Sequence, residues 1–356
     1  MMKAIAEIDK NLKVETKLER DDITWYDASK SPFVLYGNCK KDQGEYGKFM
    51  RIYAPDLEPL GIAQNIHTPG IRVRFRTDSP FVAIKAVWRW QCSMPHMPFT
   101  GSSGFDLYEL KNGRQCYAGT FVPPLESPNG YESIRDVAAD GFCDYVINFP
   151  LYNDVTELYI GVKEGSSFEE PAEYCNKKPV VFYGSSITQG GCASRPGNSY
   201  QAFLSRALNM DFINLGFSGC AKGEPEIRKY IANLDMSAFV CDYDYMANIE
   251  KLEDLQASHF ALYQEVREKH PDIPYLMVTH HSPDSTDFYI ARSIIQESYK
   301  RALESGDQNV YFVDGAALMS GYDDDACTVD GCHPNDLGFY RMYLAMLPTI
   351  SKWNLE

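Results

Sequence analysis

The sequence predicts an α/β protein in which an antiparallel β-sandwich precedes a parallel sheet covered by helices on both faces. Residues 1–170 show short segments of alternating apolar and polar residues and no convincing helix. From Pro179 onwards, short apolar runs alternate with helical stretches, as in chains built from β-α-β units. A polar segment, residues 164–178, separates the two patterns. We therefore predict a jelly-roll-like N-terminal β-sandwich domain at residues 1–170 and an α/β/α sandwich domain at residues 171–356.

The composition is that of a globular protein that buries a sizeable core. Of the 356 residues, 44% are hydrophobic and 23% are charged, and the length exceeds that of one typical domain. The formal net charge is −15 and basic residues form no block, so we expect neither a nucleic-acid partner nor a membrane partner. The N-terminal residues mix lysines with acidic residues and form no apolar run. This pattern indicates neither a signal peptide nor a transmembrane segment, and cytoplasmic localisation is the resulting expectation.

Ten cysteines are scattered along the chain and form no C-x-x-C pair. Several of them lie inside apolar, strand-like runs. This distribution favours buried, reduced thiols.

Four strands of the N-terminal part can be assigned from their residue patterns. Residues 71–76 and 81–88 are separated by an Asp-Ser-Pro turn, which predicts that they form a β-hairpin. Residues 144–149 and 157–162 flank a turn-prone Tyr-Asn-Asp sequence, which predicts a second antiparallel pair.

The first of these strands carries three arginines on one face: Arg72, Arg74 and Arg76. Antiparallel sheets commonly expose one face to water, so we expect these side chains to be solvated. Contact with an acidic ligand is the alternative.

The C-terminal part contains five apolar runs that we predict to be strands of one parallel sheet. Their β-branched and aromatic residues suit strands that are buried on both faces. A helix is predicted between the third and fourth runs, at residues 252–269, because an apolar stripe recurs there at helical spacing and Pro271 follows. His259 lies on this stripe, so we expect it to be packed. The five runs are residues 180–183, 212–215, 238–241, 275–278 and 310–313.

The first of the five runs leads into the strongest candidate site of the chain. It is followed by Gly184, Ser185 and Ser186, so the sheet delivers a serine at its carboxyl edge, where open α/β sheets bind ligands. Gly184 allows the sharp turn that this requires. A serine hydroxyl becomes a good nucleophile when a histidine accepts its proton, and His333 lies near the other end of the chain. Asp330, three residues before it, can orient the imidazole ring.

This order, a serine early and Asp-x-x-His late, resembles that of the SGNH, or GDSL-type, ester hydrolases. Residues 104–108 match the G-x-D-L-Y signature of an N-terminal domain that accompanies one branch of these esterases, so the resemblance covers nearly the whole chain. It implies a flavodoxin-like hydrolase fold without a cofactor. It also implies that Ser186 is the nucleophile, His333 the general base and Asp330 the residue that orients the base. Within the signature, Asp106 is expected to be buried or to cap a turn.

Acyl transfer through a serine also needs hydrogen-bond donors for the oxyanion. The resemblance places them at the backbone of Ser186, at Gly219 after the second strand, and at an asparagine side chain after the third strand. By direct alignment Met246 occupies that asparagine position, and a methionine side chain cannot donate a hydrogen bond. Asn248, two residues further on, is the candidate that remains. A site with backbone donors alone is the alternative.

No metal site is expected. His280 and His281 follow the fourth strand, but adjacent histidines rarely bind one ion together, and no third nitrogen or sulfur ligand has suitable spacing. A role facing the substrate is considered for one of them, because loops after the strands line the pocket. Asp242 and Asp244, separated by a tyrosine, are interpreted as hydrogen-bond acceptors at a strand end.

A segment that precedes the G-x-D-L-Y sequence is rich in aromatic residues and methionine. Two interpretations stay open: ordinary packing, or a loop that leans over the active site and shapes an acyl or sugar pocket. The residues concerned are Trp88, Trp90, Met94, His96, Met97 and Phe99.

The function favoured by this resemblance is hydrolysis of a small acyl ester, with acetyl as the expected acyl group. Acetylated saccharides are the favoured substrates, because the family branch with an added β-domain often has them. Two other hypotheses stay open. One is a carbohydrate-binding or scaffold protein whose hydrolase part has decayed, as Met246 suggests. The other is an acyltransferase that uses the same residues with an acceptor other than water. The oligomeric state, including a homo-oligomer, is left open.

Overall fold

The computed structural model of the chain describes residues 17–39, 47–57, 66–137, 141–244, 252–281, 286–321 and 323–355. Antiparallel strands occupy the N-terminal region, together with the short helices α1 (Ala54–Leu57) and α2 (Phe99–Ser102). These strands are β1 (Ile23–Asp27), β2 (Val34–Tyr36), β3 (Arg72–Thr77), β4 (Phe81–Trp88), β5 (Phe105–Lys111), β6 (Arg114–Phe121), β7 (Gly130–Asp136), β8 (Cys143–Asn148), β9 (Val155–Lys163) and β10 (Phe168–Glu169).

Strands and helices alternate in the C-terminal region. Its strands are β11 (Val180–Gly184), β12 (Phe212–Gly216), β13 (Ala238–Asp242), β14 (Tyr275–Val278) and β15 (Val310–Val313). Its helices are α3 (Ser186–Gln189), α4 (Tyr200–Leu208), α5 (Pro225–Ala232), α6 (Leu252–Lys269), α7 (Thr286–Glu304), α8 (Gly315–Leu318) and α9 (Asp336–Ile350). The five predicted strands and the predicted helix at residues 252–269 are confirmed.

The antiparallel strands form two sheets that pack face to face. One sheet has the order β1-β9-β4-β7, and the other has the order β10-β3-β8-β5-β6 with β2 paired to β3. Apolar residues of both sheets meet in one core, with Val73 and Ile147 from the larger sheet and Ile84 and Ile160 from the smaller. The predicted β-sandwich is therefore confirmed.

Both predicted strand pairs within the sandwich are wrong. β3 and β4 lie in different sheets, and so do β8 and β9. β3 pairs instead with β8, and β4 with β9, both antiparallel. The two turns between these strands carry the chain from one sheet to the other. Residue alternation reports only which face of a strand is apolar, so it cannot distinguish a neighbour in the same sheet from one across the core.

Two of the three arginines on the polar face of β3 are covered by the C-terminal region. The third, Arg76, is 32% exposed and pairs with Asp144 and Glu169 of neighbouring strands. Arg72 and Arg74 are 2% and 3% exposed. Arg72 pairs with Asp211 and donates to the backbone oxygen of Phe212 (3.3 Å). Arg74 donates to the backbone oxygen of Ala172 (3.0 Å). The prediction of solvated side chains is wrong for Arg72 and Arg74, because the polar groups of a strand face can also form their hydrogen bonds with another part of the same chain.

The C-terminal strands form one parallel sheet in the order β12-β11-β13-β14-β15. Successive residues of β11 enter different cores: Val181 and Tyr183 pack on one face of the sheet, and Val180 and Phe182 on the other. This burial of both faces explains the continuous apolar runs of the sequence. The predicted α/β/α arrangement is confirmed, and His259 of α6 is packed as expected, at 1% exposure.

One edge of the parallel sheet is held by the N-terminal region. Within the described residues β12 is the edge strand, and three of its alternate carbonyl groups accept hydrogen bonds from arginines. Arg72 donates to Phe212 O (3.3 Å), and Arg51 donates to Asn214 O (2.9 Å) and Gly216 O (2.6 Å). The two arginines therefore clamp both ends of this strand.

All ten cysteines are free, and four of them are buried: Cys92, Cys192, Cys241 and Cys327. Cys175 is exposed. The expectation of buried thiols is thus confirmed for those four and wrong for Cys175, which lies in the polar connection between the two regions.

Asp106 of the G-x-D-L-Y sequence joins the two regions. It is fully buried in β5, as one of the two expectations for it required. Its Oδ1 accepts from Asn148 Nδ2 of the sandwich (2.7 Å), and its Oδ2 accepts from the N–H of Gly197 (2.7 Å) in the segment that leads into α4. Burial raises the pKa of this carboxyl group, and the bonds from Asn148 and Gly197 oppose that effect.

Replacing Asp106 with alanine is expected to lower the free energy of unfolding by about 2–4 kcal/mol, because two buried donors lose their acceptor. Equilibrium unfolding in urea measures the effect. The matched control is Asp136→Ala, which removes an exposed carboxylate from β7 of the same sandwich and should change stability by less than about 0.5 kcal/mol. Equal losses in the two variants would contradict the role given to Asp106.

None of the helices in the described part of the chain combines the length and apolar composition that crossing a bilayer requires.

Candidate active site

Ser186 begins α3 directly after β11, at the carboxyl edge of the parallel sheet. β11 lies between β12 and β13, so Ser186 stands where the strand order reverses, which is where open α/β sheets hold ligands. The turn requires Gly184, because a Cβ there would lie 2.1 Å from the backbone oxygen of Asp242. Ser185 caps α3 by accepting a hydrogen bond from the N–H of Ile187 (3.3 Å).

The structure brings Ser186, His333 and Asp330 together in a hydrogen-bonded chain. Ser186 Oγ lies 2.9 Å from His333 Nε2, and His333 Nδ1 lies 2.8 Å from Asp330 Oδ2. Asp330 Oδ1 also accepts from the backbone N–H groups of Cys332 (3.0 Å) and His333 (2.7 Å). With Nδ1–H donating to the carboxylate, the lone pair of Nε2 is directed at the serine hydroxyl. In this arrangement a histidine can take a proton from serine.

The surroundings shift the pKa values of His333 and Asp330 in opposite directions. The Cys332 thiol, whose Sγ lies 4.0 Å from Nε2, raises the pKa of His333 to about 9 together with Asp330, against the effect of partial burial. Partial burial by itself would raise the pKa of Asp330. The hydrogen bonds from His333 and Cys332 prevail and lower that pKa to about 2. Asp330 is therefore ionised throughout the neutral range.

Gly219 lies in the turn after β12, at the same edge of the sheet as Ser186. Its φ of 72° is in the left-handed region, and a Cβ there would meet no atom within 4 Å. The neighbouring N–H of Ser218 donates to Gln189 Oε1 (3.0 Å), which fixes the turn against α3. Asn248, like Met246, lies outside the described residues.

Residues of the N-terminal region support the turn that carries Ser186. Tyr152 OH donates to the backbone oxygen of Ser186 (3.3 Å). Gln189 Nε2 donates to Leu151 O (3.1 Å) and lies 3.1 Å from His67 Nδ1. Burial and the nearby Arg51 charge lower the pKa of His67 to about 3, so its neutral ring can accept this bond. The sandwich thus contributes to the geometry of the site.

Part of the aromatic and methionine-rich segment leans over the site, as one of its two interpretations predicted. The ring centroids of His96 and His333 lie 5.6 Å apart, and Cys192 Sγ donates to the backbone oxygen of His96 (3.5 Å). A cavity of about 580 Å³ opens beside them, with Val329 among its lining residues. Trp88, in contrast, is packed in the core of the sandwich. Each interpretation therefore holds for different residues of the segment.

Asp242 and Asp244 are hydrogen-bond acceptors near the end of β13, as predicted. Asp242 Oδ2 accepts from Thr188 Oγ1 (3.1 Å), and Asp244 Oδ2 accepts from the N–H (3.1 Å) and Nδ1 (2.9 Å) of His280. His280 is 5% exposed, and the role facing the substrate that was considered for one of the two histidines stays a prediction. Burial lowers the pKa of His281 to about 4. Among the described residues, neither histidine belongs to a group of three metal-ligating side chains.

Sequence reasoning missed the roles of Tyr152, Gln189 and Cys192 around the site. Gln189 carries a usable signal, because it lies three residues after Ser186 on the same short helix. For Tyr152 and Cys192 the sequence contains no such signal. Their contacts join segments far apart in the chain, and no local pattern reports them.

Two family models together match most of the chain. Residues 177–351 match the GDSL-like Lipase/Acylhydrolase family, and residues 23–168 match the model described as the N-terminus of Esterase_SGNH_hydro-type. The chain belongs to the SGNH, or GDSL-type, ester hydrolases. The resemblance noted in the sequence is confirmed for both regions. Among curated proteins, none has a matching sequence.

Solved structures similar to this SGNH hydrolase cover nearly its whole length. A Bacteroides ovatus protein described as a GDSL-like lipase is 28% identical, with a TM-score of 0.83 over 93% of this chain and 98% of that one. The salicylyl-acyltransferase SsfX3 from a tetracycline biosynthetic pathway is 18% identical, with a TM-score of 0.73 over 94% and 98%. A family two carbohydrate esterase from Clostridium thermocellum, in complex with cellohexaose, is 15% identical, with a TM-score of 0.57 over 80% and 92%. The last two share its fold.

Proposed function

We propose that this ester hydrolase removes small acyl groups, acetyl foremost, from the hydroxyl groups of saccharides through a triad of Ser186, His333 and Asp330. The observation that carries the proposal is the chain of hydrogen bonds of 2.9 Å and 2.8 Å that links these side chains at the carboxyl edge of the sheet. We propose saccharides as substrates because the carbohydrate esterase from Clostridium thermocellum shares the fold of this chain. An acetyl xylan esterase from Butyrivibrio proteoclasticus also shares it, at 12% identity and a TM-score of 0.54.

The proposed reaction has two acyl transfers. Ser186 Oγ attacks the ester carbonyl carbon while its proton passes to His333 Nε2, and Asp330 stabilises the imidazolium that forms. His333 then returns the proton to the leaving alcohol, so that the C–O bond breaks and an acyl-enzyme remains. A water molecule repeats the sequence at the acyl carbon and releases the acid. These steps use His333 as the proton carrier and need no cofactor.

The oxyanion of each tetrahedral intermediate needs donors at the same edge of the sheet. We assign this role to the backbone N–H groups of Ser186 and Gly219, with the side chain of Asn248 as third donor. The space beside Gly219 is open, which supports the proposal that its N–H donates to the oxyanion. Such donors are effective because they are oriented before the charge develops.

Asn248→Ala is expected to lower kcat by about 100-fold with little change in KM, because one lost oxyanion donor weakens the transition state alone. Steady-state kinetics on a p-nitrophenyl ester measure the effect. Met246→Asn is the companion variant, since it restores an amide at the position that the family uses. A silent Asn248→Ala together with a higher kcat in Met246→Asn would contradict the assignment of Asn248.

The function is tested by turnover of p-nitrophenyl acetate and by covalent labelling with a fluorophosphonate. We expect turnover, and we expect the label on Ser186. If neither signal appears, the proposed esterase is rejected in favour of a binding protein that has lost its chemistry. Adding alcohol acceptors to the assay separates hydrolysis from acyl transfer, because a transferase forms the new ester in preference to the free acid.

The activity is expected to increase with pH up to alkaline values. His333 accepts a proton only when neutral, so its raised pKa moves the half-maximum of kcat/KM from about 6.5, the usual histidine value, towards pH 9. Cys332→Ser should shift this half-maximum to lower pH, because Cys332 is the largest cause of the raised value. The measurement is kcat/KM between pH 5 and 10 in the presence of a chelator.

Two controls accompany this pH profile. Ser186→Ala gives the rate of spontaneous ester hydrolysis at each pH, which is subtracted. Cys175→Ser removes an exposed thiol outside the site and should leave the half-maximum unchanged. A flat profile between pH 5 and 9 would contradict the role of His333 as general base.

A further inference from the structure

Nitrogen and sulfur ligands surround the imidazole that the proposed reaction uses as its base. His96, Cys192 and His333 each offer one ligand atom, and these atoms all lie within 4.8 Å of one another. Cys332 Sγ lies 4.0 Å from Nε2 of the same His333, and it forms a second group with His333 and Asp330. The two groups share His333, so the thiols of Cys192 and Cys332 both lie close to one imidazole ring.

We propose that this cluster, His96, Cys192, Cys332 and His333, is a binding site for a thiophilic divalent cation such as Zn²⁺, and that binding switches the esterase off. The inhibitory part rests on the proposed function. The binding part does not, because it depends only on where the four side chains lie.

The distances suit a tetrahedral ion after a small contraction. With metal–sulfur bonds of about 2.3 Å and metal–nitrogen bonds of about 2.0 Å, ligand atoms of a zinc site lie roughly 3.3–3.8 Å apart. The ligand atoms of His96, Cys192 and His333 lie within 4.8 Å of one another, so they reach that spacing when each moves by about 1 Å or less. Cys332 Sγ starts 4.0 Å from His333 Nε2. His96 can supply much of this movement, since it lies in a segment without regular helix or strand.

The partner of His333 Nδ1 prepares Nε2 to bind a metal. Asp330 Oδ2 accepts the Nδ1 proton at 2.8 Å, which leaves the lone pair on Nε2. Histidine ligands of metals commonly have such a carboxylate on the other ring nitrogen, where it fixes the ring and makes the ligand more basic. The arrangement that suits a general base therefore also suits a zinc ligand.

Cys192 shows a second feature expected of a functional position. Its φ is 72°, in the left-handed region that residues other than glycine rarely adopt, and its side chain is buried. Residues held in this conformation concentrate at functional sites. Within the proposed site Cys192 binds as a thiolate, so its proton is released to solvent when the metal binds.

The ligand set selects the kind of cation and predicts how it inhibits. Thiolate and imidazole ligands favour Zn²⁺ and Cd²⁺ over Mg²⁺ and Ca²⁺, which prefer oxygen. An ion on Nε2 takes the lone pair that would otherwise accept the proton of Ser186 Oγ, which lies 2.9 Å away. Serine and metal therefore compete for the same nitrogen, and inhibition is reversed when a chelator removes the ion.

The test measures binding and activity separately. Binding of Zn²⁺ to the full chain is measured by competition with a chromophoric chelator, and Co²⁺ serves as a spectroscopic probe of thiolate ligation. We expect one Zn²⁺ per chain, a thiolate-to-cobalt charge-transfer band, and an at least tenfold loss of Zn²⁺ affinity in His96→Ala, Cys192→Ser and Cys332→Ser. The matched control, Cys175→Ser, should bind Zn²⁺ as the wild type does.

Activity is then followed as Zn²⁺ is added, relative to the metal-free rate of each variant. We expect inhibition in the wild type, its reversal by chelator, no effect of Mg²⁺, and a weaker effect of Zn²⁺ in Cys192→Ser. Ser186→Ala keeps all four ligands and should bind Zn²⁺ normally, whether or not Ser186 is the nucleophile. Failure of the esterase proposal is therefore distinguishable from failure of this one.

Zn²⁺ affinity that is unchanged in both cysteine variants, or the absence of the thiolate band, would overturn the metal site. Binding without inhibition would overturn the switch.

Discussion

Ser186→Ala is expected to abolish ester hydrolysis, with kcat lower by at least about 10⁴-fold, because the acyl-enzyme cannot form without the hydroxyl. The fold should persist, since the hydrogen bonds that build this turn use backbone groups and the neighbouring Ser185 Oγ. Steady-state kinetics on p-nitrophenyl acetate and circular dichroism together test both statements. Fluorophosphonate labelling of the variant should also be lost.

Ser185→Ala is the matched control for this variant. It removes one hydroxyl from the same turn and leaves Ser186 Oγ in place. Loss of the N-cap hydrogen bond of α3 should lower the stability by about 1 kcal/mol. Substantial activity is therefore expected. If Ser185→Ala were the inactive variant and Ser186→Ala the active one, the nucleophile would have been assigned to the wrong serine.

Asp330→Asn is expected to lower kcat by about 10⁴-fold, the size of the effect found when a triad aspartate is replaced by asparagine. The amide keeps an acceptor for the backbone N–H groups of Cys332 and His333, so the turn is preserved. It removes the negative charge that fixes the Nδ1–H tautomer and stabilises the imidazolium. The loss should therefore appear in kcat, without unfolding.

The control for this variant is Asp325→Asn, an exposed aspartate in the same connection between α8 and α9. It should retain wild-type kinetics. A second readout is the pH profile, because the acid limb assigned to His333 should move to lower pH when Asp330 no longer stabilises its protonated form. Wild-type kinetics and an unmoved acid limb in Asp330→Asn would remove Asp330 from the triad.

The parallel sheet was predictable because its signals are local. Residues buried on both faces of a strand give a continuous apolar run, and all five runs became strands. The convergence of Ser186 and His333, 147 positions apart, was expected from the order of their motifs. The boundary between residues 170 and 171 stays a prediction, and so does the part of Asn248 in the oxyanion site.

The remaining features depend on what lies across an interface, which residue patterns do not report. The alternation of β3 correctly indicates a polar face, yet Arg72 and Arg74 are buried because the C-terminal region supplies their acceptors. The same limit explains the wrong strand pairs of the sandwich. It also explains why Tyr152, which holds the backbone of Ser186 from the other region, was not foreseen.

The hydrogen bonds from Arg51 and Arg72 to β12 also protect the edge of the parallel sheet against aggregation. An edge strand offers a row of unpaired carbonyl and N–H groups on which a foreign strand can add, which is a route to aggregation. On β12 the outward carbonyls of Phe212, Asn214 and Gly216 already accept from guanidinium groups. A C-terminal region released by proteolysis or truncation would lose both arginines, and the carbonyl groups at the edge of β12 would be left unpaired. We therefore expect the C-terminal region to aggregate more readily when it is produced without the N-terminal region.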